Sequence, residues 1–287
     1  MPPTKKSKSA TAGAQKRAAM EARPPTLSGR LTLEMTSLTF AGELKMMPLP
    51  LRKRLKLPPW LFGLLTERKD QASLTDTERE RFLCAFNVLN QNGTFGPLVC
   101  IHADMSHMMH SNPRFLPWHR IYLLKFEQAL QSIHPDVTIP YWDWTQAAEQ
   151  AFPTWLQNFT PTVVAPCETV AVVRSPGTPQ SLQSIVAGTP SVMQSTNFVD
   201  FWSGLEGIHN GVHVWVGGSM GSIPTAPADP IFWMHHANID RLWWQWQISP
   251  QGQGKNPNLT GPAAVMDPWA YTEPDTRDIA TLGYTYV

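Results

Sequence analysis

Cysteine is scarce in this sequence, where Cys84, Cys100 and Cys167 are the only three among 287 residues. Small secreted domains that depend on disulfides carry dense, even-numbered sets of cysteines. The three cysteines here also form no CxxC pair of the kind that binds a metal ion. These features exclude a disulfide scaffold and a thiolate metal site, and we expect reduced thiols in a cytoplasmic protein.

Long apolar runs are missing as well. No segment approaches the roughly 20 apolar residues that cross a bilayer, and the N-terminus lacks the apolar core of a signal peptide. We therefore expect no membrane association and a cytoplasmic location, with any export depending on a partner that carries the signal.

Charge of either sign is low overall, with a net charge of +1, but it is unevenly placed. Residues 1–70 hold 14 Lys and Arg against 5 Asp and Glu, whereas residues 71–287 hold 9 against 17. Residues 1–29 show no apolar period and are predicted to be a disordered basic tail, ahead of one domain over residues 30–287. Basic arms can bind nucleic acid, but a solvated tail is the simpler interpretation, and we expect no nucleic-acid partner.

Helical signals are present in four segments. Thr75 and Glu78 form a capping-box pattern that predicts a helix over 76–90. Apolar periodicity predicts three further helices. One covers 117–132 and has Pro117 in its first turn, one covers about 200–214 and ends at the Gly217-Gly218 breaker, and one covers 231–247. Residues 153–198, rich in Pro, Ser, Thr and Gln, are predicted to be a long irregular excursion, so the fold class is mainly α with long irregular loops.

Histidines form two groups. His102, His107, His110 and His119 make the first, and His209, His213, His235 and His236 the second; only His134 stands alone, and we give it no role. On a helix, His209 and His213 present both imidazoles on one face, a spacing that suits one metal ion. No carboxylate recurs at the spacing of di-iron bundles, and a double set of imidazoles suits a pair of copper ions.

Three stretches around these histidines resemble the copper motifs of the tyrosinase family. HSNPRFLPWHRIYLLKFEQAL (110–130) is similar to the first motif, and IHNGVHVWVGGSMG (208–221) with DPIFWMHHANIDRLWWQW (229–246) to the second. With the C-terminal Tyr284-Thr285-Tyr286, the resemblance covers about residues 74–287. It implies a mainly α fold, with a central four-helix bundle carrying a dicopper centre that uses dioxygen as co-substrate.

The resemblance also implies which residues act. Copper ligands carried over by position are His102, His110 and His119 for the first ion, and His209, His213 and His236 for the second. His107 competes with His102, and the segment LVCIHADM favours His102. Glu206 and Asn210 match the residues that hold a water as base for the phenol proton, and Val214 and Ile223 match the pocket entrance. Asp240 is interpreted as a group that fixes the helix or a histidine ring, or as a helix-end ion pair.

The implied reaction is hydroxylation of monophenols to o-diphenols and oxidation of o-diphenols to o-quinones, on a small phenolic substrate. A catechol or o-aminophenol oxidase without the first activity, or an oxygen carrier of haemocyanin type, remains an alternative.

Residues 43–72 have no counterpart in the family pattern. We expect their basic and apolar residues to pack on their own domain, on the rim of the copper site or on another subunit, and the last case predicts a homo-oligomer.

Overall fold

The fold is known from a computed structural model that describes residues 65–287. The described part contains eight α-helices: α1 (Asp76–Gln91), α2 (Gly96–Met109), α3 (Phe115–Ile133), α4 (Pro179–Val186), α5 (Thr189–Val192), α6 (Phe198–Val216), α7 (Pro230–Ile248) and α8 (Ile279–Leu282). It also contains four short strands: β1 (Thr66–Arg68), β2 (Thr162–Val164), β3 (Thr169–Ala171) and β4 (Tyr284–Tyr286). The mainly helical fold predicted from the sequence is confirmed. None of the helices between residues 65 and 287 is long and apolar enough to span a bilayer.

Helices α2, α3, α6 and α7 form the central bundle and carry all eight clustered histidines along their length or at their ends. Large aromatic side chains fill the space around it: Phe126 stacks on Trp233 with ring centres 3.9 Å apart, and Phe201 on Trp246 at 4.2 Å. Such rings bury large apolar areas. The bundle can therefore hold polar imidazoles in its centre without losing its apolar packing.

Four of these helices match the predicted segments closely. The capping box at Thr75 and Glu78 begins α1 as expected. Asn197 caps α6 by accepting from the Asp200 N–H, and Gly217, with a φ of 66°, ends it. Helix α3 begins at Phe115, so Pro117 lies in its first turn, where a missing N–H costs nothing.

Helix α2, which carries His102, was not predicted. It begins at Gly96-Pro97, without a side-chain cap, and its apolar residues follow no clear stripe. Gly96 is needed where the helix meets strand β2, because a Cβ there would lie 2.6 Å from the Val164 carbonyl oxygen. Tertiary packing, which the local sequence does not encode, fixes this helix.

The excursion over 153–198 contains regular elements that the prediction left out. Strands β2 and β3 pair antiparallel, with Val163 opposite Val170. Helices α4 and α5 follow and pack along α6.

The prediction of reduced thiols is wrong for two of the three cysteines. Cys100 on α2 and Cys167 in the β2–β3 turn form a disulfide, while Cys84 is a free, exposed thiol. A cysteine count could not show this, because the partners are 67 residues apart and meet only when the turn packs on α2. The expected cytoplasmic location therefore loses the part of its argument that rested on thiols.

Strands β1 and β4 pair in parallel, with Thr66 opposite Tyr284 and Arg68 opposite Tyr286. They bring a buried charged network onto the bundle. Asp240 of α7 accepts hydrogen bonds from both tyrosine hydroxyls at 2.6 Å and from Arg68 and Arg120. Among the described residues, the hydrogen-bond partners of Asp240 are arginines and tyrosines and not an imidazole, so it fixes the helix rather than a histidine ring, and it is more than a helix-end ion pair.

The described residues include only part of the predicted domain organisation. The basic tail over residues 1–29 and residues 43–64 of the unusual segment lie outside the described residues. The described end of that segment, residues 65–72, packs on its own domain through β1, where the Arg68 side chain is fully buried between Glu127 and Asp240.

Candidate metal centre

The first histidine group joins α2 to α3. His102 lies within α2, His110 ends it, and His119 lies one turn inside α3. One nitrogen from each ring comes within 4.8 Å of the other two, and the Nε2 atoms of His102 and His119 are 3.5 Å apart. Imidazole nitrogens bind metal ions at about 2.0–2.1 Å, which places two ligand nitrogens about 3.3–3.6 Å apart. The group fits one ion.

Backbone carbonyls orient these three rings. In each ring Nδ1 faces a backbone carbonyl oxygen. The distance is 3.0 Å from His102 to Ile223, 3.1 Å from His110 to Ser106 and 2.8 Å from His119 to Phe115. A carbonyl oxygen can only accept, so each Nδ1 carries the proton and donates it. Each Nε2 therefore keeps a lone pair for a metal ion.

The second group joins α6 to α7. The Nε2 atom of His236 lies 3.0 Å from that of His209 and 3.3 Å from that of His213. His213 Nδ1 donates to the Met220 carbonyl at 2.9 Å, and His209 Nδ1 lies 3.0 Å from Asn210 Oδ1. Three lone pairs thus converge at distances suited to one ion.

His235 also lies in this group. One nitrogen from each of His209, His213 and His235 falls within 4.8 Å of the other two. Distance alone therefore permits either His235 or His236 as the third member. The two rings differ in their other contacts, since His235 Nδ1 faces the Trp144 indole N–H at 3.0 Å whereas His236 Nδ1 has no partner among the described residues.

The two groups face each other in the bundle. The rings of His119 and His236 stack with centres 4.5 Å apart, and the rings of His110 and His209 are 6.3 Å apart. Phe115 packs against His119 and His209, at 4.9 and 4.8 Å. The arrangement offers two adjacent metal sites in an apolar enclosure.

Burial keeps the imidazoles neutral. In five of them it lowers the pKa well below the ordinary value, and nearby histidines lower the pKa further. These five are His102, His119, His209, His235 and His236. Burial also lowers the pKa of His110, and that of His213 to about 4. Metal binding requires a neutral imidazole, so the rings are ready to bind at neutral pH.

The remaining predicted residues fall around this centre. His107, which the sequence placed in the first histidine group, is exposed and is not among the three rings that converge there, and His134 caps the end of α3. Val214 and Ile223 are 73% and 48% exposed, and their place at the pocket entrance stays a prediction. The Ile223 carbonyl was not predicted to hold His102, because a backbone oxygen leaves no signal in the sequence.

Glu206 and Asn210, the predicted catalytic pair, lie on α6 beside the second group. Glu206 is buried, which raises the pKa of its carboxyl, and its Oε1 accepts the Ser111 N–H at 2.7 Å. Ser111 follows His110 directly and has a φ of 55°. Asn210 is exposed and reaches His209 Nδ1.

Comparison with known proteins agrees with this geometry. The family description "Common central domain of tyrosinase" matches residues 92–176 and 167–249. Tyrosinase of Streptomyces glaucescens is 33% identical over 273 residues, covering 77% of this chain and 99% of the relative. The chain belongs to the tyrosinase family.

Solved structures show the same fold. A functional unit from octopus haemocyanin has a TM-score of 0.62 at 24% identity, covering 77% of this chain and 67% of that one. Tyrosinase from Burkholderia thailandensis has a TM-score of 0.60 at 21% identity, covering 78% and 74%. As a member of the tyrosinase family, the chain is a copper-dependent oxidase of phenols. Its two imidazole groups fit the family's type-3 dicopper centre, which uses dioxygen as co-substrate.

Proposed function

We propose that this protein hydroxylates monophenols to o-diphenols and oxidises o-diphenols to o-quinones. The observation that carries the proposal is the pair of buried imidazole groups facing each other, with the Glu206 carboxylate on the same helix as His209 and His213. When bound, the two copper ions supply the activation of dioxygen. The protein supplies position, exclusion of water and a route for the phenol proton.

The ligands we assign are the histidines whose ring nitrogens converge. His102, His110 and His119 hold the first ion, and His209, His213 and His236 the second. The exposed position of His107 supports His102 over it. His102→Ala is expected to lose one copper per chain and His107→Ala none. The reverse result, measured as copper content, would move the assignment to His107.

A phenol must lose a proton, with a pKa near 10, before its oxygen can bind a metal ion. We assign that task to a water held by Glu206 and Asn210. Burial raises the pKa of the Glu206 carboxyl, which makes it a better proton acceptor than an exposed glutamate. The Asn210 side chain makes one hydrogen bond to the described residues, through Oδ1, which leaves its amide N–H groups for the water.

Turnover on three substrates tests the proposal. Copper-loaded protein is given tyrosine, an o-diphenol and an o-aminophenol side by side, and quinone formation is followed. The expected result is product from both phenols, with a lag on tyrosine. Product from the diphenol or aminophenol alone would make the protein an oxidase without hydroxylating activity, and reversible oxygen binding without product would make it a carrier.

We also propose a homo-oligomer formed through residues 43–72. This assignment rests on their sequence, since residues 43–64 lie outside the described part. The described residues that follow them pack on their own domain. Light scattering of the wild type beside Trp60→Ser and Phe62→Ser tests it, and a wild-type monomer would refute it.

A further inference from the structure

Two adjacent, fully enclosed histidines compete for one place in the second copper site. His235 is 0% exposed and His236 is 1% exposed, and each lies close to both His209 and His213. Something other than distance must decide which of them binds the ion. The contacts on the far side of each ring supply the answer.

The far side of His235 faces an indole. Trp144 Nε1 lies 3.0 Å from His235 Nδ1, in a contact where Trp144 is 0% exposed. An indole N–H can only donate, so His235 Nδ1 must accept and cannot carry a proton. The neutral ring then carries its proton on Nε2, so that nitrogen has no lone pair for a metal ion, while the lone pair on Nδ1 accepts the indole N–H. Neither nitrogen of His235 is then available as a ligand.

His236 has the opposite arrangement. Its Nδ1 is buried without a partner among the described residues, and its Nε2 lies among the Nε2 atoms of His209 and His213. Nothing opposes a proton on Nδ1, and the lone pair on Nε2 remains available. A donor facing Nδ1 here would block this ring as it blocks His235.

Two contacts hold the segment around Trp144 against α7, one before and one after His235 in the sequence. The backbone N–H of Trp142 donates to the Met234 carbonyl at 3.1 Å, and Arg241 forms an ion pair with Asp143 at 3.1 Å. These two contacts attach the segment that carries the indole to the helix that carries the two histidines.

We propose that Trp144 selects the copper ligand: its indole N–H fixes His235 in the Nε2–H tautomer, which excludes it from the metal and leaves the place to His236. Trp144 is thus a positioning residue that acts through His235. The inference rests on the proposed second copper site, and its test separates the two.

The first measurement is made on copper-free wild-type protein. Nitrogen-15 chemical shifts of the histidine rings distinguish a protonated from an unprotonated nitrogen. His235, assigned by comparison with His235→Gln, is expected to show an unprotonated Nδ1 and a protonated Nε2. A protonated Nδ1 would overturn the proposal without touching the copper assignment.

The second measurement is copper content by metal analysis. His236→Ala is expected to bind one copper per chain, against two in the wild type. In the double variant His236→Ala/Trp144→Phe, the indole N–H is gone and His235 can carry its proton on Nδ1. Copper content is then expected to return towards two per chain, with a changed visible spectrum. His236→Ala/Trp142→Phe is the matched control, because Trp142 is equally buried and donates to the Glu149 carbonyl instead; it is expected to stay at one.

Contrary results are clear in each case. Full copper in His236→Ala would show that His235 binds despite Trp144, and would overturn the proposal. So would a folded double variant, checked by circular dichroism, that stays at one copper. A wild-type protein that binds fewer than two would instead count against the dicopper assignment.

Discussion

Glu206 makes a contact that links the two copper sites. It lies on the helix of His209 and His213, yet its carboxylate accepts the N–H of Ser111, next to His110 of the first site. Ser111 adopts a left-handed backbone conformation that is unfavourable for a residue with a side chain. The hydrogen bond therefore offsets the cost of the turn that presents His110.

Two substitutions separate the anchoring role of Glu206 from the proton-accepting role proposed above. Glu206→Gln keeps an acceptor for Ser111 but loses the base, so copper content should stay at the wild-type level while the ratio of monophenol to diphenol turnover falls about tenfold or more. Glu206→Ala loses both, and copper should also be lost from the first site. An unchanged turnover ratio in Glu206→Gln would refute the base, and full copper in Glu206→Ala would refute the anchor.

Glu149 predicts a pH dependence of stability outside the copper centre. Burial raises the pKa of its carboxyl to about 7, against the opposing effect of a hydrogen bond from Gln71. The folded chain therefore binds this proton more tightly than the unfolded chain, so this contribution is complete below pH 4.5 and is lost as pH rises to about 7.

Glu149→Gln removes the ionisation and retains an acceptor for Gln71. We expect the variant to gain melting temperature relative to wild type more at pH 8 than at pH 5. Glu80→Gln, at an exposed carboxylate, is the control and should show no such difference. Equal shifts of Glu149→Gln at both pH values would contradict the argument.

At this scale the sequence identified the imidazoles but not what orients them. Histidine is rare and chemically distinctive, so clusters such as His209 and His213 stand out. The oxygens that hold them belong to the backbone of Ile223 and Met220, and every residue has such an oxygen. Only the folded chain shows which carbonyl faces which ring.

Among the elements, α6 depends on glycines for its packing. A Cβ on Gly211 would lie 2.6 Å from Ile185 Cγ2 of α4, and one on Gly204 would lie 2.8 Å from Val192 Cγ2 of α5. Gly207, one turn before Gly211, has nothing within 4 Å of that position. The same residue type thus serves close helix packing at two sites and has no packing role at the third.

Alanine at Gly207 and Gly211 should therefore have opposite effects. Gly207→Ala is expected to raise the free energy of unfolding by up to about 1 kcal/mol, since alanine is the better helix former. Gly211→Ala is expected to lower it by about 1–3 kcal/mol, because Ile185 must move. Denaturant unfolding of the copper-free protein measures both without interference from metal binding, and the same sign for both would contradict the packing argument.

Element prediction succeeded where the local sequence carried the reason. Thr75 and Glu78 cap α1 with their own side chains, and Gly217 ends α6 through its own backbone conformation. Helix α2 begins without a side-chain cap, where Gly96 meets strand β2, and the β2–β3 hairpin is fixed by packing on that helix. The helix and the hairpin both depend on contacts between residues about 70 positions apart, and the spacing of apolar residues within one segment does not reveal such contacts.

For the molecule as a whole, the buried network around Asp240 joins both ends of the described chain to the bundle. Burial, reinforced by the charge of Asp240, raises the pKa of Tyr284 and Tyr286 well above its ordinary value, so both hydroxyls stay protonated and donate. Arg68 stacks on Tyr284 at 3.7 Å and pairs with Glu127 of α3. The C-terminal Tyr-Thr-Tyr motif thus has a physical role in closing the fold.

Removing Asp240 should be far more harmful than removing one of its donors. Asp240→Ala leaves Arg120 without its carboxylate and is expected to cost about 3–5 kcal/mol of unfolding free energy. Tyr286→Phe removes one hydroxyl and is expected to cost about 1–2 kcal/mol. Denaturant titration provides both values, and an Asp240→Ala variant within about 1 kcal/mol of wild type would contradict the role given to the network.

The disulfide has a consequence for how the chain assembles. His102 and His209 are about 107 residues apart along the chain, but only about 44 apart by the path through Cys100 and Cys167. The entropic cost of closing a loop grows as (3/2)RT ln n, so the shorter path lowers it by about 0.8 kcal/mol. An oxidised chain brings the two halves of the dicopper centre together about fourfold more readily than a reduced one. The redox state at the moment of folding therefore sets how readily the centre assembles.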